Sequence, residues 1–316
     1  MASRQVTVFG GSGFIGRYLV KRLADNGWRI VIAVRDPEAA HFLKPLGDVG
    51  QIVAIPVDVG DKQAVRNAVA GSSAAVNLVG ILYERGRQTF ARTHVEAARH
   101  IAEAAADEGC GRLVHISAIG ASATSPAAYA RSKAAAEANV AQAFPGATIL
   151  RPSIVFGPED GFFNLFARMA VVSPVLPLFG GGMTRFQPVH VCDVASAIDR
   201  CLDTSASVGT TYELGGPTVY TFSQLMQIVV RETRRRCLLL ALPYGVASLM
   251  AAFLQFLPVP PLTPDQVRLM KIDNVAGGGL PGLKDLGINP TAAEVVVPTY
   301  LARYRRGGLR GRPKFC

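Results

Sequence analysis

The chain has 316 residues, of which 49% are hydrophobic and 18% charged, and this composition excludes a disordered, fibrous or low-complexity protein. The five cysteines and five histidines are scattered without metal-ligand spacing, so we expect no metal site. The net charge of +10 is concentrated at the carboxyl end, because the charged residues after position 302 are all basic: Arg303, Arg305, Arg306, Arg310, Arg312 and Lys314.

Short apolar runs alternate with longer helical patterns through the first half of the chain. Strands are predicted at 6–9, 30–34, 52–57, 74–79, 113–116 and 147–150, and helices before Asn26, at 91–108 and at 129–142. Apolar strands separated by helices are typical of a parallel sheet covered on both faces. We therefore predict an α/β fold with a doubly wound parallel sheet of the Rossmann type.

Beyond Pro152 the chain becomes rich in glycine and proline, and the strand–helix alternation is lost. A smaller C-terminal α+β subdomain is expected to cap the open end of the sheet. The predicted dinucleotide-binding domain covers 1–155, and the chain returns to it at about 185–215. The capping subdomain is expected over 156–184 and 216–302, with a basic tail over 303–316.

The turn after the first strand carries the sharpest motif in the chain. It reads either as Gly10, Gly13 and Gly16 or as Gly11, Gly13 and Gly16. Glycines here allow a tight turn, a close approach of the backbone to a pyrophosphate, and close packing of the helix on the strand. Because the motif leaves a strand and opens a helix, it predicts a dinucleotide site at the helix N-terminus.

The end of the second strand distinguishes between the nicotinamide cofactors. A carboxylate there binds the ribose hydroxyl of NAD, whereas an arginine accommodates the 2′-phosphate of NADP. Arg35 follows the strand and Arg17 follows the last glycine of the loop, so NADP(H) is favoured over NAD(H). Asp36 would favour NAD if the strand ended one residue later. Asp58 could bond the adenine amino group, and the segment 77–80 would lie along the cofactor.

Tyr129 and Lys133 are four residues apart at the start of a predicted helix and therefore share one face. An adjacent ammonium group is expected to lower the pKa of the phenol and make Tyr129 a usable acid or base. Ser117, at the end of the preceding strand, could hold a substrate oxygen. Ser122 and Ser125 are alternatives for that role.

Taken in order, these motifs resemble the extended or atypical branch of the short-chain dehydrogenase/reductase (SDR) superfamily. The segment 151–158 is similar to the one that passes the nicotinamide. The resemblance implies a catalytic set of Tyr129, Lys133 and Ser117, which could serve only as cofactor contacts. It implies cofactor contacts from Gly10, Gly13, Phe14, Ile15, Gly16, Arg17, Arg35, Asp58, Val59, Leu78, Val79, Gly80, Ser117, Tyr129, Lys133, Pro152 and Ile154.

The later segments at 150–164, 186–195, 212–217, 262–267 and 298–301 resemble the SDR-type accessory subunit of respiratory complex I. That resemblance implies a non-catalytic NADPH-binding subunit of NADH:ubiquinone oxidoreductase that stabilises the peripheral arm near the membrane and the quinone site. Its partners would be other complex I subunits. It would lie peripherally on the cytoplasmic side of a bacterial inner membrane, or on the matrix side in a mitochondrion. The alternative is a catalytic NADP-dependent reductase, epimerase or dehydratase that uses Tyr129, Lys133 and Ser117.

Residues 237–264 contain no charged side chain and follow three consecutive arginines, Arg234 to Arg236. A helix predicted over 244–257 is too short to span the roughly 30 Å core of a bilayer. It is either buried in the subdomain or laid on a membrane surface or a partner, so 237–262 and the basic tail form a candidate membrane contact. No nucleic-acid-binding module accompanies the tail, so we expect no nucleic-acid partner.

Overall fold

The computed structural model describes residues 4–258 and 260–307. Its strands are β1 (Gln5–Phe9), β2 (Arg29–Val34), β3 (Ile52–Pro56), β4 (Ala74–Asn77), β5 (Arg112–Ile116), β6 (Thr148–Pro152), β7 (Val155–Phe156), β8 (Val175–Phe179), β9 (Arg185–Phe186), β10 (Val189–His190), β11 (Thr211–Leu214), β12 (Tyr220–Thr221) and β13 (Leu238–Leu242). Its α-helices are α1 (Phe14–Asp25), α2 (Lys62–Val69), α3 (Ala97–Asp107), α4 (Ala128–Ala143), α5 (Phe163–Val172), α6 (Val191–Asp203), α7 (Phe222–Thr233), α8 (Tyr244–Leu254), α9 (Pro264–Leu269) and α10 (Ala293–Leu301).

Seven strands form the main sheet in the order β11-β6-β5-β4-β1-β2-β3. Every neighbouring pair runs parallel. Helices α1 and α6 pack on one face around Leu19 and Ile198, and helices α2, α3 and α4 pack on the other around Ile101 and Val140. The strands are apolar throughout because both faces are covered, which confirms the predicted doubly wound α/β sheet. The strand order reverses between β1 and β4, where such sheets bind their ligands.

Two predicted elements have different ends in the structure. The fourth strand ends at Asn77, because the Asn77 side chain accepts a hydrogen bond from the amide of Val79 at 3.0 Å and turns the chain. The helix predicted over 91–108 begins with a π-helical segment, Ala91–Glu96, before α3 starts. Such π-helical turns are frequent at functional sites.

The chain returns to the main sheet after the first part of the subdomain. Helix α6 packs against α1, where Arg22 and Asn26 both donate hydrogen bonds to the carboxylate of Asp199, at 3.1 and 2.9 Å. Strand β11 then pairs with β6, with Tyr212 opposite Leu150, and so forms one edge of the sheet. Segments far apart in the chain therefore share one core.

The C-terminal subdomain has its own aromatic core, in which Phe156, Phe163, Phe166 and Phe222 are buried together. Strands β8 and β13 pair in parallel, and β9 and β12 pair antiparallel beside them. The helix predicted over 244–257 ends at Leu254, and only its Ala247 and Ala251 are buried. The subdomain is therefore α+β, and α8 covers its core with the buried Ala247 and Ala251 and with the partly buried Tyr244 and Leu254.

The start of the predicted basic tail belongs to the folded subdomain. Arg303 donates to the carbonyl of Pro158 at 2.6 Å, and Arg305 donates to the carbonyl of Glu232 at 2.7 Å. Hydrogen bonds to backbone carbonyls hold these two guanidiniums, so they are not part of a solvated charge run. Arg310, Arg312 and Lys314 lie outside the described residues. No helix within the described part of the chain is long and apolar enough to cross a bilayer.

Candidate dinucleotide-binding site

The loop between β1 and α1 contains glycines for distinct steric reasons. Gly10 has a φ of +78°, its amide donates to the carbonyl of Ala33 at 3.1 Å, and a Cβ there would lie 3.3 Å from the carbonyl carbon of Leu78. A Cβ on Gly16 would lie 2.4 Å from the backbone oxygen of Gly11, so helix α1 could not pack on the loop. Both readings of the motif therefore describe glycines that the packing requires.

Helix α1 begins without a side-chain cap. Gly13 occupies the N-cap position in an extended conformation, and no side chain among residues 4–258 and 260–307 accepts a hydrogen bond from the first turn. The backbone amides of such a turn stay available to water or a ligand, and the helix dipole favours an anion there. The start of α1 is thus built to receive a phosphate group.

A cavity of about 610 Å³ lies at the carboxyl ends of β1 to β4. It is lined by Gly10, Ser12, Gly13, Ala33, Val34, Arg35, Pro56, Val57, Asp58, Val59, Leu78, Val79, Gly80, Ile81, Arg87, Gln88, Arg92 and Thr93. Its position at the point where the strand order reverses is where doubly wound sheets bind dinucleotides.

The structure brings about half of the predicted cofactor residues to this cavity. Those that line it are Gly10, Gly13, Arg35, Asp58, Val59, Leu78, Val79 and Gly80. The predicted residues that do not line it are Phe14, Ile15, Gly16, Arg17, Ser117, Tyr129, Lys133, Pro152 and Ile154. Lys133 nevertheless lies next to the cavity. A Cβ built on Gly80, which lines the cavity, would lie 3.4 Å from the Lys133 Nζ.

Arg17 does not point into the cavity, contrary to the expectation that it faces the adenosine phosphate. Its guanidinium lies 5.1 Å from the centre of the Phe42 ring, and its Nε donates a long hydrogen bond of 3.4 Å to the carbonyl of Gly13. Its Nη1 is 3.8 Å from the Glu159 carboxylate. An aromatic face and a carboxylate on the outer side of α1 together draw this side chain away.

Arg35 and Asp36 play different parts, although both follow β2. Arg35 lines the cavity. The carboxylate of Asp36 accepts hydrogen bonds from the amides of Glu38 and Ala39, at 3.1 and 3.2 Å, at the start of the 3-10 helix Glu38–Leu46. At the end of the second strand Arg35 therefore lines the cavity, whereas the carboxylate of Asp36 is engaged by backbone amides.

Asp58 lies at the cavity, as predicted, but its carboxylate already has two partners. One oxygen accepts the amide of Gly60 at 2.9 Å, and the other accepts Arg92 Nη2 at 2.5 Å. Each carboxylate oxygen has a second lone pair and could still accept an adenine amino group. Asp58 thus also orients Arg92, a role that the sequence did not indicate.

Burial controls the titration of Tyr129 and Lys133 in this structure. Burial raises the pKa of Tyr129 to about 12, and burial lowers the pKa of Lys133 to about 8. The expectation that Lys133 lowers the pKa of Tyr129 is therefore wrong here, because burial disfavours the charged phenolate and shifts this pKa upwards. The Lys133 Nζ donates to the carbonyl of Ile116 at 3.1 Å, and the Tyr129 ring meets the rings of Phe90 and His94 edge-on.

Ser117 and His94 lie close to this pair. Ser117 is 3% exposed, and its hydroxyl has no hydrogen-bond partner among the described residues. The Ser132 hydroxyl donates to the carbonyl of Tyr129, so it accepts from His94 Nδ1 at 2.8 Å, and His94 Nε2 accepts the amide of Ile81 at 3.0 Å. These bonds fix His94 as a neutral imidazole, and burial lowers its pKa to about 3.

Residues 6–215 match the NAD dependent epimerase/dehydratase family. The chain belongs to this family. Over 314 residues it is 37% identical to NADH dehydrogenase (ubiquinone) 1 alpha subcomplex subunit 9, mitochondrial, of Arabidopsis thaliana, which covers 96% of this chain and 78% of that protein. It is 33% identical to the NADH-ubiquinone oxidoreductase 40 kDa subunit, mitochondrial, of Neurospora crassa, covering 99% of this chain and 83% of that one. The predicted relationship to this complex I subunit is therefore confirmed.

Solved structures agree with the fold of this epimerase/dehydratase family member. The NADPH-dependent quinone oxidoreductase QOR2 of Escherichia coli, complexed with NADPH, superposes with a TM-score of 0.73 at 22% identity. The match covers 93% of this chain and 99% of that one. At this identity the likeness concerns the fold alone. The family is one that binds NAD or NADP, and the residues matched here extend from β1 to β11 of the main sheet.

Five polar residues that line the cavity were not predicted from the sequence: Ser12, Arg87, Gln88, Arg92 and Thr93. Ser12 lies inside the glycine motif and could have been included on that ground. The others follow β4 at distances that the motif does not specify. The three arginines between positions 85 and 92 were a signal for a basic site. Which way the Arg92 side chain points, however, depends on the π-helical segment Ala91–Glu96, which the sequence did not predict.

Proposed function

We propose that this chain is an accessory subunit of NADH:ubiquinone oxidoreductase that binds NADP(H) and does not itself catalyse a redox reaction. The observation that carries the proposal is its 37% identity, across 96% of its length, to a protein named as a subunit of that complex. The similarity extends through the C-terminal subdomain as well as the dinucleotide domain. It therefore supports a shared place in an assembly in addition to a shared fold.

The cavity fits a dinucleotide, and its charges favour NADP(H) over NAD(H). Gly10 and Gly13 leave space for a pyrophosphate at the uncapped start of α1. Arg35 lines the cavity and would meet the 2′-phosphate in this proposal, while the carboxylate of Asp36, which would suit NAD, accepts hydrogen bonds from backbone amides. NADPH, when bound, is a hydride donor. The residues of this chain hold and orient it.

Two features of Tyr129 support a role without turnover. Burial raises the pKa of its phenol to about 12, so the group stays protonated at neutral pH and is a weak acid. Phe90 and His94 pack against its ring, at centroid distances of 6.0 and 5.5 Å. In this proposal Tyr129 and Lys133 hold the cofactor. A bound cofactor stabilises the fold by about 4 kcal/mol when its free concentration is a thousand times its dissociation constant.

A second candidate function is catalysis by an NADP-dependent reductase, epimerase or dehydratase. The observation that favours it is the Ser117 hydroxyl, which is buried without a hydrogen-bond partner among the described residues. A buried polar group in that state is rare and suits a ligand oxygen. Tyr129 and Lys133 are both present nearby on α4. Under this alternative the three side chains act on a substrate carbonyl or hydroxyl.

We also propose that the subunit lies peripherally at the membrane, near the quinone site. The support is an apolar face formed by β13, α8 and residues 256–257, on which Leu238, Leu249, Phe253 and Phe256 are 63 to 82% exposed. The relatives are named as mitochondrial proteins. The corresponding side is the matrix in a mitochondrion and the cytoplasmic side of the inner membrane in a bacterium.

The test uses the respiratory complex purified from cells that carry wild-type chain, Tyr129→Phe or Gly13→Asp. Acid extraction followed by nucleotide chromatography should recover NADP(H), and not NAD(H), from the wild-type complex. Tyr129→Phe should leave NADH:ubiquinone activity nearly unchanged. Gly13→Asp should reduce bound nucleotide and assembled complex, because a side chain there lies 3.2 Å from the Gly10 carbonyl and its charge repels phosphates.

Two results would contradict the proposal. Recovery of NAD(H) alone would remove the cofactor assignment. A large loss of activity in Tyr129→Phe with normal assembly and normal nucleotide content would favour the catalytic alternative.

A further inference from the structure

We infer that Arg92 determines the preference for NADP(H), by supplying a guanidinium to the adenosine 2′-phosphate beside Arg35. This inference rests on the proposed binding of NADP(H) and names the residue that selects it. Arg92 lies in the right place for this role. Arg35, Arg87 and Arg92 line the same cavity, whereas Arg17, the partner of Arg35 that the sequence suggests, lies over Phe42 on the outer side of α1.

The second ground is the charge of the cavity. Its charged lining residues are three arginines, Arg35, Arg87 and Arg92, and one carboxylate, Asp58. A surplus of positive charge at this end matches a 2′-phosphate, which carries close to two negative charges at neutral pH. Both nucleotides bring the same pyrophosphate charges, and the ribose hydroxyls of NAD add none to them, so the 2′-phosphate is the charge by which the two ligands differ. Planar guanidiniums also bind phosphate oxygens through paired hydrogen bonds.

The third ground is that Arg92 is held in place before any ligand arrives. Asp58 accepts its Nη2, and the other oxygen of Asp58 is bound to the Gly60 amide. Gly60 has no side chain where Arg92 passes: a Cβ there would lie 2.4 Å from the Arg92 Nε. The Arg92 side chain is 34% exposed and belongs to the lining of the cavity, so a ligand there can reach it. Such pre-organisation lowers the entropy that binding must overcome.

The fourth ground is the π-helical segment Ala91–Glu96, which gives consecutive side chains different surroundings. Arg92 and Thr93 line the cavity, while His94 is 2% exposed and points to Ser132 and Ile81. The segment therefore fixes the adenosine end of the cavity and the surroundings of Tyr129 together. Widened helical turns of this kind recur at functional sites.

The experiment measures dissociation constants of NADPH and NADH for the full chain by fluorescence titration. The variants are Arg92→Gln, Gly60→Ala, and Arg66→Gln as the matched control. Arg66 is an exposed arginine paired with Glu108 at 3.0 Å, away from the cavity. Arg92→Gln should weaken NADPH binding about tenfold or more and leave NADH binding unchanged, as expected for one charged hydrogen-bonded pair.

Gly60→Ala keeps every charge and displaces only the Arg92 side chain, so it should weaken NADPH binding in the same direction by a smaller factor. Arg66→Gln should change neither constant. The inference is overturned if Arg92→Gln weakens both nucleotides equally, which would place Arg92 on the adenine, or if it weakens neither. A wild-type chain that binds neither nucleotide would instead refute the proposed function, and unfolding temperatures without nucleotide verify that each variant is folded.

Discussion

His94 illustrates how burial decides the chemistry of a single residue in this protein. Its side chain is 2% exposed and makes a hydrogen bond at each ring nitrogen. Burial lowers its pKa, and the positive charge of Lys133 lowers it further. Tyr129 and Lys133 respond to the same surroundings, and each is driven towards its neutral form. The residues that resemble a catalytic set thus share a weakly hydrated environment.

The lowered pKa of His94 predicts a loss of stability in mild acid. The unfolded histidine takes up a proton below about pH 6.5, while the folded one resists protonation until about pH 3. The free energy of unfolding should therefore fall as the pH decreases from 6.5 towards 3, by up to about 1.4 kcal/mol per pH unit for this residue. His115, whose pKa burial also lowers to about 3, adds a similar contribution.

Urea unfolding of the full chain between pH 7.5 and 5.5 measures this slope. The variant His94→Gln should show a shallower slope than wild type. His41→Gln, at a side chain that is 45% exposed, is the matched control for the loss of a histidine. An unchanged slope in His94→Gln would show that this imidazole does not remain neutral in the folded state.

At the scale of elements, the subdomain holds the start of the helix that carries Tyr129 and Lys133. Asp265, in the first turn of α9, accepts hydrogen bonds from the amides of Ala128 and Tyr129 at 2.7 and 2.9 Å. The first amides of a helix have no carbonyl partner within it, and no side chain at the N-cap of α4 accepts their hydrogen bonds. A carboxylate from the second domain thus caps a helix of the first and favours its N-terminus electrostatically.

Asp265→Ala should lower the free energy of unfolding by about 1 to 2 kcal/mol, because it removes the cap of α4. It should also weaken NADPH binding, because it releases the helix end that carries Tyr129, which the proposed function places on the cofactor. Asp61→Ala is the matched control: Asp61 caps α2 through the amides of Gln63 and Ala64, within one domain. That variant should lose similar stability and keep its affinity for NADPH. Equal affinities in both variants would mean that the cap from α9 has no influence on the cofactor site.

At the scale of the whole molecule, one apolar face distinguishes the C-terminal subdomain. Leu249 and Phe253 of α8 are 63% and 71% exposed, and Phe256 is 82% exposed. Contiguous exposed apolar surface of this kind usually marks a contact with a membrane or another protein. Helix α8 has 11 residues and a length of about 17 Å, so it could lie on a bilayer but not cross one.

Flotation with vesicles that contain anionic lipid tests this face. The wild-type chain should float with the vesicles, and the double variant Leu249→Gln with Phe253→Gln should stay in solution. Each aromatic or aliphatic side chain that enters the bilayer contributes about 2 kcal/mol to the free energy of membrane binding. Val49→Gln, at an apolar residue that is fully exposed elsewhere, is the control. A chain ending at residue 307 separates the contribution of the basic tail. Identical behaviour of wild type and double variant would favour a protein partner at this face.

The sequence by itself determined the doubly wound sheet and the position of the glycine loop at the cavity where we propose that a dinucleotide binds. These follow from local patterns: apolar strands between helices, and glycines at fixed spacing between β1 and α1. It also named Arg35, which lines that cavity, as a cofactor residue, and that role stays a prediction. Local patterns suffice here because the strand–loop–helix unit is continuous in the chain, and its geometry depends on residues within about a dozen positions.

Only the tertiary structure decided which side chains meet at the site. Arg17 lies over Phe42 and near Glu159, and Asp58 holds Arg92 across 34 positions of the chain. Burial raises the pKa of Tyr129. Each outcome depends on contacts between segments far apart in the chain. Hydration and long-range packing, which set both pKa values and side-chain directions, exist only once those segments have come together.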